Sequence, residues 1–153
     1  MSNIDHSLFK KESLTELRQA DLEDYIIDLA WSPDGEKLAV ITVEGAVFLF
    51  ENYGDTANYK LIGQHTGGGN SVSWRNDGVE FATAGHDGKA KVWNGISGQE
   101  IVSLTAGDSW VTKVIYNPIS NCLATAAGKH LKLWNHQREV FYESSDHSST
   151  IAD

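Results

Sequence analysis

His65, Thr83, Asp87 and Trp93 set an imidazole, a hydroxyl, a carboxylate and an indole close together in the chain. The first three are the groups of a base, the nucleophile it activates and the acid that orients it. Such a set works only if the hydroxyl is exposed and a substrate has room beside it. Buried, with a partner for every polar group, the same residues make a structural tie instead. The other histidines are His6, His86, His130, His136 and His147. No pair among them has the spacing of a helical zinc motif and no cysteine pair accompanies them, so each reads as a surface or strand histidine. Gly67-Gly68-Gly69 is followed by neither Lys-Ser/Thr nor a helix, and reads as a flexible connection rather than a phosphate cradle. Asp34 and Asp77 are turn residues without an acid partner, which leaves a two-carboxylate mechanism unsupported.

The element that must position these residues is the stretch from Asn70 to Asn94. It holds three strand-like runs separated by Asp77-Gly78 and Asp87-Gly88. Asp-Gly suits the positive backbone angles of a two-residue hairpin, so three antiparallel strands are expected in a row. The stretch has echoes on both sides. Moving 43 residues back takes Trp74 to Trp31, Gly78 to Gly35, Phe81 to Leu38 and Trp93 to Phe50. Moving 42 forward takes Trp74 to Tyr116, Phe81 to Leu123 and Thr83 to Thr125, and a shift of 41 takes Trp93 to Trp134. A period in the low forties with several strands per period predicts the blades of a β-propeller.

Expected strands are 26–31, 37–42, 46–51 and 59–62 in unit one (about 24–62). In unit two (about 63–104) they are 71–74, 80–84, 90–94 and 100–104. In unit three (about 105–143) they are 112–116, 122–126, 130–135 and 139–143. Residues 1–12 form a lead-in. Leu14 to Arg18 fits either a capped helix or, in the repeat register, the outer strand of a preceding blade, and the strand is preferred.

Val92-Trp93-Asn94 and Leu133-Trp134-Asn135 close their units as Trp-Asp closes a WD repeat. Trp31-Ser32-Pro33-Asp34-Gly35 looks like the turn after that family's first strand, and Gln64-His65 stands where its Gly-His pair would be. Over nearly its whole length the chain resembles the WD-repeat family. The resemblance implies an all-β fold of consecutive four-stranded antiparallel blades, with the propeller ring incomplete. It also implies that Trp93, Thr83, His65 and Asp87 form a buried chain of hydrogen bonds, so that none is catalytic. Unit one has Leu22, Val40, Glu44 and Phe50 at those four positions. Unit three has Gly107 for the histidine, keeps Thr125 and Trp134, and has lost the aspartate in its shortened Ala127-Gly128-Lys129 turn. Units one and three are therefore expected to rely on packing alone.

The family commonly binds partners on the face where outer-to-first strand loops meet second-to-third strand turns. Here that face would carry Tyr25, Asn70, His86, Trp110 and Thr112. Tyr25 and Trp110 are the expected anchors, since large aromatics at a rim often dominate an interface. The alternative is that either ring merely packs over the blade below. The implied function is a non-catalytic scaffold for a protein or peptide, with no cofactor and no metal.

Composition agrees with that class. The chain has 153 residues, 41% hydrophobic and 22% charged, and a net charge of −9 from 21 acids against 12 bases. Lys10-Lys11 is the only adjacent basic pair, so neither nucleic acid nor membrane is an expected partner. The single cysteine, Cys122, reads as a small buried side chain, and a cytoplasmic location is expected. Asp146 to Ile151 resembles the run that leads into a first strand, so a fourth unit is expected to begin at 144–153. Three blades are too few to close a ring of roughly four to eight. Either the chain is part of a longer propeller, the preferred expectation, or copies complete the ring by assembly through their open edges. A third possibility is a fragment of a propeller enzyme.

Overall fold

Short runs rich in Val, Ile and aromatics, each ended by Gly, Asn or Asp, leave the backbone few options besides short strands joined by tight turns. The computed structural model describes residues 20–51 and 58–144. In sheet 1 the strands are β1 (Ile26–Trp31), β2 (Lys37–Thr42), β3 (Ala46–Glu51) and β4 (Asn58–Gln64). In sheet 2 they are β5 (Gly69–Trp74), β6 (Glu80–Gly85), β7 (Lys89–Asn94) and β8 (Glu100–Thr105). In sheet 3 they are β9 (Val111–Tyr116), β10 (Leu123–Ala127), β11 (His130–Trp134) and β12 (Val140–Ser144). Each sheet is antiparallel with its strands in sequence order. The three are blades of a propeller whose ring the described residues do not close. The expected lead-in at 1–12 and strand at 14–18 lie outside the described residues, as does the expected fourth unit beyond Ser144, which itself ends β12.

The repeat spacing reappears as structural equivalence. Trp31, Trp74 and Tyr116 each pair across the ladder with a large apolar residue, Leu38, Phe81 and Leu123. Side chains alternate along a strand, so each sheet has two distinct faces. The front of sheet 2 carries Val72, Trp74, Phe81 and Trp93, and it packs on Ala39, Ile41, Val47 and Leu49 from the rear of sheet 1. The rear of sheet 2 is small, Ala82, Ala84, Ala90 and Val92, and it receives Val114, Tyr116, Leu123 and Trp134 from the front of sheet 3. Bulk on one face answers small residues on the next, which is how stacked sheets reach close packing.

Several local expectations are corrected. Neither Asp-Gly turn is a two-residue hairpin. In both, only the glycine has a positive φ, +71° at Gly78 and +73° at Gly88. The aspartates instead accept backbone N–H groups two residues on, from Val79 and Lys89, and this favours a longer turn. Within Gly67-Gly68-Gly69, Gly67 is exposed but Gly68 and Gly69 are tightly packed, so the passage is not a loose connection. A Cβ on Gly69 would lie 2.4 Å from the Ile41 side chain, and one on Gly68 would lie 2.6 Å from the His86 ring. Cys122 is half-buried and sits before β10 rather than within it. β4 extends past its expected end because its ladder with β3 runs on across a bulge, and β8 reaches one residue further through the regular pair Lys89–Thr105.

Candidate functional site

The hydroxyl, imidazole and carboxylate come together inside sheet 2. β6 supplies Thr83, β7 supplies Trp93, and the turn between them supplies Asp87; His65 enters from the loop that precedes β5. Trp93 Nε1–H donates to Thr83 Oγ1 at 2.8 Å, and Thr83 Oγ1 lies 2.8 Å from His65 Nε2. His65 Nδ1 is 3.0 Å from Asp87 Oδ1, and Asp87 Oδ2 also accepts the Thr66 N–H. These partners assign the proton of a neutral imidazole to Nδ1, leaving Nε2 to accept the threonine hydroxyl. Burial pushes the His65 pKa down, against the opposing pull of Asp87. Burial works to raise Asp87, yet its bonds to His65 and to backbone N–H groups hold it below the usual carboxylate range.

This arrangement cannot present a nucleophile. Thr83 and His65 are fully buried, and the threonine oxygen is committed to two neighbours. Gly85 is part of the fit, because a Cβ there would lie 2.3 Å from His65 Nδ1. The chemistry available is that of a tie between β7 and the loop entering β5.

Sheets 1 and 3 do not rely on packing alone, contrary to the expectation from Leu22, Val40, Glu44 and Phe50 and from Gly107. In sheet 3, Trp134 Nε1–H still donates to Thr125 Oγ1 at 3.0 Å. In sheet 1 the position is taken by Asp24, whose carboxylate accepts the N–H groups of Tyr25 and Glu44. A side-chain bond to Thr42 and those N–H bonds hold Asp24 below its ordinary pKa. The repeat comparison missed Asp24 because it does not fall on any of the four compared positions.

On the rim, Asn70, His86 and Trp110 form one cluster. The His86 and Trp110 rings stack in parallel, with centroids 3.8 Å apart and planes 6° apart. His86 Nδ1 is 2.7 Å from the Gly67 carbonyl and Nε2 is 3.1 Å from Asn70 Oδ1. Asn70 Nδ2 in turn donates to the Val111 carbonyl at 2.9 Å. The circuit orients the imidazole on which the indole stacks, and 58% of Trp110 remains exposed. Tyr25, on sheet 1, is 82% exposed. Thr112 turns back to its own sheet, where its hydroxyl donates to the Ala126 carbonyl.

A cluster on the opposite side of the blades has no counterpart in the sequence reading. Glu80 is almost fully buried, and its carboxylate accepts the Tyr116 phenol at 2.8 Å and Arg138 Nη2 at 2.5 Å, with Arg75 Nη1 at 3.3 Å. Burial raises the Tyr116 pKa, and the charge of Glu80 adds to the rise. Among the described residues no group of three or more His, Cys, Asp or Glu could hold a metal ion.

The family model for the "WD domain, G-beta repeat" matches residues 59–94 and 98–135. The chain is a WD-repeat protein. It is 38% identical to the periodic tryptophan protein 2 homolog of Dictyostelium discoideum across 57% of its own length and 9% of that relative. It is 25% identical to WD repeat-containing protein 1 of Gallus gallus across 82% of its length and 29% of that relative. It is thus much shorter than the curated relatives it matches. Among solved structures, U3-55K superposes with a TM-score of 0.78 at 14% identity, covering 87% of this chain and 43% of that one. The WD40 propeller domain of Doa1 superposes at 0.75 and 16%, covering 88% and 45%. At such identities the superpositions establish the WD propeller fold and nothing finer.

Proposed function

We propose that this WD-repeat chain is a non-catalytic scaffold that binds a protein or peptide on the rim carrying Tyr25, Asn70, His86, Trp110 and Thr112. The observation behind this is Trp110, a large exposed ring stacked on the His86 imidazole, which the Gly67 carbonyl and Asn70 hold in place. A rigid aromatic loses little freedom on binding, which is what makes such rings effective anchors. The acidic balance, 21 acids against 12 bases, supports a protein partner over nucleic acid, and we place the protein in the cytoplasm. The consumed hydroxyl of Thr83 supports a scaffold over an enzyme.

The test is quantitative affinity capture with the wild-type chain and with a Tyr25→Ala, Trp110→Ala double variant of unchanged melting temperature. Partners enriched by the wild type and lost by the variant support the rim. Equal recovery by both would place binding elsewhere.

A further inference from the structure

His86 has an oxygen against each of its ring nitrogens, and neither oxygen can donate. The Gly67 carbonyl is 2.7 Å from Nδ1, and Asn70 Oδ1 is 3.1 Å from Nε2. The asparagine amide is fixed in that sense, because its Nδ2 lies 2.9 Å from the Val111 carbonyl, which can only accept. Turning the amide end for end would set Oδ1 against that carbonyl oxygen. A neutral imidazole has one N–H and one lone pair, and here the lone pair would face an oxygen whichever nitrogen bore it. Only a ring protonated on both nitrogens satisfies the whole circuit.

The seat of the ring is closely built. The His86 backbone N–H donates to the Gly68 carbonyl at 2.9 Å, and a Cβ on Gly68 would lie 2.6 Å from Nδ1. The ring stacks on Trp110, and a positive charge against an indole face is attracted to it. Gly67, Asn70, His86, Trp110 and Val111 all lie within the described stretch 58–144. The charged and titratable groups on the surrounding elements are Glu44 on the β2–β3 turn, His65 before β5, Asp87 and Lys89 beside His86, Asp108 before Trp110 and Lys113 on β9. Asp87 is turned to His65 and the Thr66 N–H, and among the described residues the His86 ring bonds only to Gly67 and Asn70.

We propose that the rim of sheets 2 and 3 is operated by a proton. With both nitrogens protonated, His86 closes the circuit and holds the platform on which Trp110 stacks. Loss of one proton turns a lone pair toward an oxygen, the ring leaves its seat, and Trp110 loses its support. The rim therefore presents its anchor in one orientation at mildly acid pH and loosens it as the pH rises. As control of partner binding this rests on the rim being the binding face; the proton step is a property of the chain itself.

The test reads the His86 ring nitrogens by heteronuclear NMR in the isotope-labelled full chain from about pH 8 to about pH 5, the range in which imidazoles change charge. Both nitrogens are expected to carry a proton at the acid end. Trp110 emission, taken as the difference from Trp110→Phe, is expected to change in step, and not to change in His86→Gln. Asn70→Ala removes one acceptor and is expected to need more acid for the second proton; should it not fold, the wild-type titration decides alone. A ring that stays singly protonated throughout, or that titrates alike in wild type and Asn70→Ala, overturns the proposal. Affinity capture is then run near both ends of the range. Partners held through Trp110 are expected to be enriched at the acid end by the wild type, and equally at both ends by His86→Gln. Equal capture by the wild type, on a rim that the Tyr25→Ala, Trp110→Ala variant shows to bind, overturns the switch. Capture untouched by that double variant overturns the rim as the binding face instead, and the nitrogen spectra still decide the proton step.

Discussion

Arg138 Nη2 lies 2.5 Å from Glu80 Oε2 across the seam between sheets 2 and 3, although 58 residues separate the two in the chain. Glu80 is almost wholly buried, and a carboxylate is tolerated there because Arg138, Arg75 and the Tyr116 phenol surround it.

Removing the acid strands its partners. Glu80→Ala is expected to cost about 3–5 kcal/mol, the usual penalty for breaking one side of a buried ion pair. Tyr116→Phe loses one bond to a charged acceptor and is expected to cost about 1.5–3 kcal/mol. Urea unfolding midpoints measure both. A loss for Glu80→Ala within the ~0.5 kcal/mol typical of surface changes would show that the cluster does not hold the seam.

Asp87 and Glu44 hold equivalent turn positions with different surroundings. Asp87 accepts from His65 and from the Thr66 and Lys89 N–H groups, whereas the backbone of Glu44 is tied down by Asp24. Asp87→Ala is expected to cost about 1.5–3 kcal/mol through the lost charged acceptor. Glu44→Ala should stay within about 0.5 kcal/mol. Equal shifts in melting temperature would remove the special status of sheet 2.

The two threonine ties differ in reach. Thr83 links Trp93 to His65, while Thr125 meets only Trp134 among the described side chains. Thr125→Val is expected to cost about 1 kcal/mol, one ordinary buried hydrogen bond. Thr83→Val leaves two buried groups without a partner and should cost roughly twice as much. Matching unfolding free energies for the two variants would contradict the extended chain of bonds.

Acid should weaken sheet 2 through His65. Its pKa is lowered in the folded protein from 6.5, so below that value the unfolded chain binds the extra proton more readily. The contribution is therefore complete above about pH 6.5 and is lost as the pH falls toward the folded value. Melting temperature is expected to drop between pH 7.5 and 5.5 in the wild type, and to drop less in His65→Gln. Parallel curves for the two proteins would mean that His65 is not held neutral.

The sequence alone determined the repeat, the strand count per unit and the equivalence of Trp31, Trp74 and Tyr116. These follow from side-chain alternation and turn residues, which act over a few neighbours at a time. The partners of Trp93, Thr83, His65 and Asp87 could be named because a WD repeat keeps them at fixed intervals. Tertiary structure decided what depends on meetings between distant stretches. Gly69 looked free until the Ile41 side chain closed over it, and Asp24 fell on none of the four compared positions yet tied down the Glu44 turn. Nothing in the residues beside Glu80 marks it as buried. Only the stacking of sheet 3 on sheet 2 brings Tyr116 and Arg138 to it, because a buried charge is stabilised by partners that spacing along one strand cannot announce.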